Sequence, residues 1–326
     1  MLSAWREFLK GKRNRRDAQE FQFRLTDNIL ALQYHLKNKT YVHGHYEAFK
    51  INDPKPRDIH KATVRDRVLH RALYRQLYPF FDRTFISDSY SCRLRKGTHK
   101  AIRRFRSMAY RASKNNTRQC FVLKCDIRKF FASIDHQILR TILARYILDT
   151  DILRLIFQVI GSFHSTREGV GFRLDKVGLR PDDVGLPLGN LTSQLFVNIY
   201  MNEFDQFVKH KLKAQYYIRY ADDFVIFSHD KNWLQETLRY IARFLEKELC
   251  LSLHPDKVAI QTLASGIDFL GWVHFPDHRV LRMTTKRRMF RRVAECGSKP
   301  EIVQSYLGLL RHGNTKKLQD KVESML

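Results

Sequence analysis

The sequence predicts an α+β fold, on three observations. Two short apolar runs, Tyr216 to Tyr220 and Phe224 to Phe227, are rich in aromatic and β-branched residues and read as strands joined at a tight turn bearing Asp222 and Asp223. A further apolar stretch, Cys120 to Cys125, reads as a strand ending in Asp126. Much of the remaining chain repeats its apolar residues at helical spacing, as Val68, Leu69, Ala72, Leu73, Leu77 and Tyr78 do.

Composition bounds the function. The 326 residues are 44% hydrophobic and 12% aromatic, which excludes a disordered chain and is ample for two or three subdomains. Lys and Arg total 59 against 33 Asp and Glu, a net charge of +26. An excess spread over the whole length is the footprint of a polyanion binder, because each neutralised phosphate releases condensed counterions. Nucleic acid is the expected partner; a solvated basic surface or an anionic membrane are the alternatives. Without a long apolar span, lipidation motif or signal peptide, no membrane association is expected. Cys92, Cys120, Cys125, Cys250 and Cys296 are scattered with no Cys-x-x-Cys pair, which fits reduced thiols in a cytoplasmic setting rather than disulfides or a zinc site. The histidines show no ligand spacing; His43 and His45 flank one glycine without a partner pair.

Taken in order, the chain starts with a basic run (Lys10, Lys12, Arg13, Arg15, Arg16) that reads as an arm on RNA or as a solvated terminus. Phe21 to Leu36 has helical spacing. Tyr46 to Ile51 is strand-like and runs into Asp53-Pro54-Lys55-Pro56-Arg57. Two prolines stiffen that loop and present Lys55 and Arg57 either to a triphosphate or base face, or simply to solvent. Helices follow over Val64 to Phe81 and Lys100 to Tyr110, then a polar linker at 112–118. Ser133 to Ile147 reads as a helix with Ser133 as N-cap. The glycine-dotted stretch Gly161 to Asp183 reads as a loop or hairpin. Gly185 to Gln194 is a flexible turn feeding a helix over Leu195 to Leu212, with Leu195, Ile199, Phe204 and Val208 as its buried stripe. Trp233 to Leu251 is amphipathic, Gly266 to Trp272 is a tight hairpin, and Val280 to Leu326 is mostly helical and basic, suited to clamping a duplex backbone.

Adjacent aspartates between hydrophobic strands repel and are poorly solvated unless a cation neutralises them, although a merely polar hairpin turn gives the same sequence. If the strand ending in Asp126 shares their sheet, three carboxylates converge. Such a set would hold two magnesium ions about 3.5 to 4 Å apart, as two-metal nucleotidyl transfer requires.

Together these stretches resemble reverse transcriptases, from about Tyr41 to His312. Asp126-Ile127-Arg128-Lys129-Phe130-Phe131 resembles the family's motif A, Gly185 to Gln194 motif B, Tyr220-Ala221-Asp222-Asp223 motif C and Leu251 to Lys257 motif D. Phe269-Leu270-Gly271 resembles motif E, the primer grip. The resemblance implies a right-hand polymerase fold with fingers, a palm built on an antiparallel sheet, and a helical thumb. Its segments would be an N-terminal extension (1–40), fingers (41–118), palm with motif A (119–147), a fingers return (148–187), palm with motifs B to D (188–265), and primer grip with thumb (266–326). It implies RNA-directed DNA polymerase activity, with Asp126, Asp222 and Asp223 as catalytic, metal-binding residues for two Mg2+ ions. Lys55, Arg57, Phe131, Leu188, Gly189, Gln194 and Lys257 would contact the deoxynucleoside triphosphate. Among them Phe131 would gate against a ribose 2′-hydroxyl and Lys257 would stand near the leaving pyrophosphate. Template RNA and the RNA–cDNA duplex are the implied partners.

Leu188 departs from the Gln that precedes the motif B glycine in group II intron and retroviral enzymes, and Ser193-Gln194 departs from the intron Ser-Pro. Both features resemble the reverse transcriptases of diversity-generating retroelements, which are bacterial or phage-encoded. Those enzymes copy a template RNA with errors opposite adenine, in mutagenic retrohoming, alongside a small basic accessory variability protein. An apolar Leu188 cannot make a glutamine's polar contacts, and a lost bond or two at roughly 0.5 to 1.5 kcal/mol each loosens discrimination severalfold to tenfold. Pro54-Lys55-Pro56-Arg57, Lys96-Gly97-Thr98-His99 and Ser305-Tyr306-Leu307-Gly308 with His312 fit the same subgroup, and no maturase or endonuclease domain is expected after the tail. The alternatives are a group II intron-like or phage-defence reverse transcriptase, and a non-catalytic RNA-binding scaffold.

Overall fold

The computed structural model describes residues 1–52, 56–165, 183–295 and 299–324. In chain order its elements are α1 (Leu2–Phe8), α2 (Arg16–Phe23), α3 (Leu25–Lys37), β1 (Tyr46–Ile51), β2 (Arg57–Ala62), α4 (Val64–Thr84), α5 (Thr98–Ala112), β3 (Phe121–Asp126), α6 (His136–Tyr146), α7 (Thr150–Gly161), α8 (Leu191–Gln206), β4 (Tyr216–Tyr220), β5 (Asp223–Ser228), α9 (Lys231–Leu249), β6 (Ala259–Thr262), β7 (Ile267–Phe269), β8 (Trp272–His274), β9 (Arg279–Leu281), α10 (Met283–Glu295), α11 (Pro300–Leu310) and α12 (Lys316–Glu323). They form two compact units. The first comprises Met1–Ile86, Ile127–Phe207 and Ala242–Ser252; the second comprises Ser87–Asp126, Val208–Ile241 and Leu253–Leu326.

The first unit is helical, with one antiparallel hairpin of β1 and β2 in register from Tyr46↔Ala62 to Ile51↔Arg57. The α4 helix is capped by Thr63, whose hydroxyl accepts from the Asp66 amide, and it buries Val68, Leu69, Leu73, Leu77 and Phe81. It packs on α8, which is buried round nearly its whole circumference, as a helix at the centre of a core must be. Trp5, Phe8 and Ala18 close the N-terminal side of α4 against Val64 and Val68.

The second unit carries a four-stranded antiparallel sheet, β4-β5-β3-β6, and a three-stranded one, β7-β8-β9. The α5 helix lays Phe105, Met108 and Ala109 against Val122, Ile218, Val225 and Phe227 of the larger sheet. Trp272, Leu281, Met289, Val303 and Leu310 join the smaller sheet to α10 and α11. No helix of the described residues is long and apolar enough to cross a membrane.

Several elements differ from the sequence reading for physical reasons. The helix expected over Phe21 to Leu36 is broken at Arg24, whose backbone is non-helical, and the Asn28 side-chain amide donates to the freed Phe21 carbonyl at 3.0 Å. Ser133 does not cap the following helix. It ends a 3₁₀ turn, Phe130–Ser133, and Asp135 caps α6 instead by accepting from the Ile138 amide at 2.9 Å. The helix expected to reach Leu212 ends at Gln206 and gives way to a π-helical turn, Phe207–Lys211. Lys55 and most of the expected loop over 161–183 lie outside the described residues.

Candidate active site

The sheet places two of the three expected carboxylates side by side. In the β3–β5 ladder Asp126 stands opposite Asp223, and in the β4–β5 hairpin Tyr220 pairs with Asp223. Ala221 and Asp222 are therefore the two turn residues. Ala221 has φ 56°, a left-handed conformation that hairpins usually reserve for Gly, Asn or Asp and that costs an alanine roughly 1 to 2 kcal/mol.

The restraint on that turn comes from a residue the sequence reading missed. Arg219, wholly buried on β4, donates from Nη1 to the Ala221 carbonyl at 3.0 Å and from Nη2 to Ser89 Oγ at 3.2 Å. Its backbone is also clasped: Arg219 N donates to the Asp88 carbonyl, and Tyr90 N donates to the Arg219 carbonyl, each at 3.0 Å. Asp88 is fixed by Arg104 through bonds of 2.7 and 3.0 Å, and Thr98 Oγ1 donates to the Tyr220 hydroxyl at 3.1 Å. The available signal was an arginine set in an apolar strand one residue before the motif's tyrosine.

The electrostatics favour a positive ligand among the carboxylates. Asp223 Oδ1 is enclosed and has no hydrogen-bond partner among the described residues. Burial pushes the Asp223 carboxyl up to about 7; Lys124 opposes the shift, while Asp222, Asp126 and Asp268 add to it. Lys124 is itself anchored by donating to the Asp268 carbonyl. Asp126 Oδ1 receives the Lys257 ammonium at 2.9 Å, and the His254 amide donates to the Asp126 carbonyl at 2.8 Å. Lys257 closes a 3₁₀ turn, Pro255–Lys257, and so reaches back to the end of β3. No three His, Cys, Asp or Glu side chains of the described residues form a ready metal cage. The residues present nevertheless fit a cation, because an enclosed carboxylate oxygen among other carboxylates is stabilised by a positive ligand.

The residues expected around the nucleotide belong to the first unit, apart from Lys257. Phe131 lies in the 3₁₀ turn after Asp126, half-buried, and its carbonyl accepts from Leu186 N at 2.8 Å. Leu188, Gly189 and Asn190 run beside β2: His60 N donates to the Leu188 carbonyl, and Asn190 Nδ2 donates to the His60 carbonyl, both at 3.0 Å. Gly189 has φ +107°, and a Cβ there would stand 2.8 Å from Ile59 Cγ2, so both backbone and space demand glycine. Gln194 lies in the first turn of α8, and exposed Arg57 begins β2. This brings Arg57, Leu188 and Gly189 to one hairpin edge.

The expected primer grip is the β7–β8 turn, where Leu270 and Gly271 sit between the paired residues Phe269 and Trp272. Both turn residues have positive φ, 52° and 85°. Phe269 is a core residue stacked on Phe105 at 5.4 Å, so only Leu270 and Gly271 are presented at the turn.

Comparison with known proteins adds the family. The family model "Reverse transcriptase (RNA-dependent DNA polymerase)" matches residues 50–274. Protein YkfC of Escherichia coli (strain K12) is 26% identical over 296 residues, covering 79% of this chain and 73% of that protein. The group II intron-encoded protein LtrA of Lactococcus lactis subsp. cremoris is 23% identical over 304 residues, covering 73% of this chain and 47% of that protein. Among solved structures, telomerase from Candida albicans in complex with a TWJ fragment of telomeric RNA superposes with a TM-score of 0.52 at 12% identity, over 86% of this chain and 54% of that one. Apo telomerase from Candida tropicalis, truncated from its C-terminal domain, gives 0.51 at 12% identity, over 79% and 60%. These likenesses show a right-hand polymerase fold.

Proposed function

Because the chain belongs to the reverse transcriptase (RNA-dependent DNA polymerase) family, we propose that it is an RNA-directed DNA polymerase that copies a template RNA into cDNA, with Asp126, Asp222 and Asp223 as its catalytic carboxylates. The observation that carries this reading is the register that sets Asp126 opposite Asp223, beside the turn bearing Asp222, with one carboxylate oxygen enclosed and unpartnered. Two magnesium ions are the cofactor such a set takes, supplying activation of a primer 3′-hydroxyl and charge neutralisation at the α-phosphate of the incoming deoxynucleotide. Lys257 holds a proton within reach of Asp126 and serves as the donor, or neutralising charge, for the departing pyrophosphate. Phe131 excludes a 2′-hydroxyl. Lys55 and Arg57 engage the triphosphate, and Gly189 and Gln194 line the base pair being formed. Leu270 and Gly271, with Phe269 buried behind them, hold the primer strand.

Within the family, Leu188 favours the error-prone enzymes of diversity-generating retroelements, acting in the cytoplasm with a small basic accessory protein. The similarity to LtrA favours an intron-like lineage, and the two readings differ in the fidelity each expects.

Primer extension on a defined RNA template, with magnesium and all four deoxynucleotides and with sequencing of the product, tests both. The Asp222→Ala/Asp223→Ala variant loses synthesis and keeps RNA affinity; persistent synthesis would overturn the carboxylate assignment. Errors gathered opposite template adenines support the diversity-generating reading, whereas faithful copying moves the protein to the intron-like or defence enzymes. No DNA, even with the accessory protein supplied, would leave a scaffold role.

A further inference from the structure

The second unit has a cationic hollow lined by none of the catalytic, nucleotide or primer-grip residues placed above. It is a cavity of about 200 Å³ between α5, the turn from β8 to β9 and the segment that follows α11. Arg106, Arg279, Arg311 and His312 line it, and the one acidic residue of its wall, Asp277, is engaged by His278 at 2.7 Å. Arg103, Arg106 and Arg311 make no side-chain hydrogen bond or ion pair among the described residues. Arg279 donates to the His312 carbonyl and lies over the Trp272 ring, with its guanidinium carbon 5.7 Å from the ring centroid. Burial, then the like charges of Arg106 and Arg103, disfavour its charged form.

Positive charges gathered in a concavity without acids to answer them raise each other's energy, and an anion entering the hollow relieves that repulsion. The wall is built for it. A Cβ on Gly313 would stand 2.0 Å from the Trp272 ring, so only glycine lets the 311–314 segment settle there, and the Asn314 amide fixes that segment by donating to the Arg279 carbonyl at 3.0 Å. Flat rings flank the charges: Phe275 stacks on His278 at 4.6 Å and 8°, and His99 stacks on His312 at 3.8 Å. Guanidinium groups for a phosphate beside ring faces for a base are the chemistry of a single-stranded nucleic acid site.

The hollow is away from the carboxylates. Phe105 on its wall meets Phe227 edge-on at 4.8 Å, and Phe227 pairs with Val122 and Tyr216 at the end of the sheet opposite Asp126 and Asp223. Phe227 is four residues along β5 from Asp223, about 13 Å at roughly 3.3 Å per residue.

We propose that this hollow is a second nucleic-acid site, binding a phosphate of single-stranded RNA, with an adjacent base on the Phe275–His278 rings, and anchoring template RNA at the end of the sheet opposite the carboxylates. This rests on the polymerase reading only for the identity of the RNA.

The test uses the full chain and the double variant Arg106→Ala/Arg311→Ala, both positions being exposed and, among the described residues, without a side-chain partner, so that folding does not depend on them. Binding of a 40-nucleotide single-stranded RNA is measured across salt concentrations. Loss of the bound phosphate lowers the slope of log K against log salt by about 0.7, the value per neutralised phosphate on a single strand. The variant Arg239→Ala/Arg243→Ala, which removes the same charge from α9, keeps the wild-type slope. Extension of a primer on a template too short to reach beyond the active site keeps its wild-type rate in both variants. An unchanged slope, or an equal change in both variants, overturns the proposal. So does saturable binding of inorganic phosphate that only the first variant loses while its RNA slope stands, which would make the hollow a free-phosphate site. If wild-type protein extends no primer, the polymerase reading falls while the salt slopes still decide the hollow.

Discussion

Replacing Arg219 tests whether the catalytic turn is held by the buried guanidinium or by its own sequence. Two quantities compete in the structure. Ala221 at φ 56° costs roughly 1 to 2 kcal/mol, and the charge-assisted bond from Arg219 to the Ala221 carbonyl contributes about 1.5 to 3 kcal/mol. With the arginine present the bond exceeds the strain and the turn has one conformation. In Arg219→Met the bond is gone and the strain remains, so the turn relaxes and Asp222 moves.

A displacement of about 1 Å at a reacting centre costs on the order of a hundredfold, so kcat in single-turnover primer extension falls roughly 10- to 100-fold. The KM for deoxynucleotide stays within about threefold, since Arg219 touches the turn and Ser89 rather than the nucleotide-contact residues. Arg219→Lys does not rescue, because one ammonium cannot reproduce the fork that serves Ala221 and Ser89 together. Ala221→Gly does, because glycine adopts a left-handed φ without strain, and the double variant regains part of the lost kcat. The reasoning is refuted if folded Arg219→Met retains kcat within twofold of wild type, or if Ala221→Gly gives no recovery.

Three further outcomes follow. The folded Asp223 carboxyl sits near 7 against an ordinary 3.8, so its contribution to stability declines as pH rises from 3.8 through 7 and is flat above; Asp223→Asn removes that decline. In metal-free protein the variant therefore gains at most about 4 kcal/mol over wild type at pH 8, with a gain that shrinks toward pH 4; chemical denaturation at the two pH values checks this, and an equal gain at both would contradict it. Gly189→Ala meets both a φ of +107° and the Ile59 methyl, so it loses about 2 kcal/mol or more in urea unfolding, whereas Ala substituted at exposed Gly308, where nothing lies within 4 Å, does not. Phe131→Ala raises ribonucleotide use relative to deoxynucleotide by roughly 10- to 200-fold in competition primer extension, and an unchanged ratio removes Phe131 from the gate.

What was legible in the sequence was periodic or local. The β4–β5 hairpin, the strand ending at Asp126 and the β7–β8 turn announce themselves because alternation and turn chemistry act over a few residues. The break at Arg24 and the cap at Asp135 were not legible, since each depends on a single side-chain bond worth about 1 kcal/mol, and several neighbouring residues could have made it. Arg219 was hidden for a different reason: its partner Ser89 lies 130 residues away, so nothing near it in the chain explains a charge in an apolar strand.

The two turns expected to work on the primer and the metal share a property that pattern reading does not register. Each places a non-glycine residue, Ala221 or Leu270, at a left-handed φ. Such strain persists only where surroundings over-determine it. For Ala221 the determinant is Arg219. The Leu270 turn is held by Arg282, whose amide donates to the Gly271 carbonyl at 3.1 Å and whose guanidinium holds the Asp268 carboxylate; the Asp268 carbonyl accepts from Lys124, the lysine that also opposes the raised pKa of Asp223. Lys124 therefore connects the electrostatics of the carboxylates to the geometry of the second turn. Substituting it should disturb both together, whereas a lysine that served only as a counter-charge would affect the carboxylates alone.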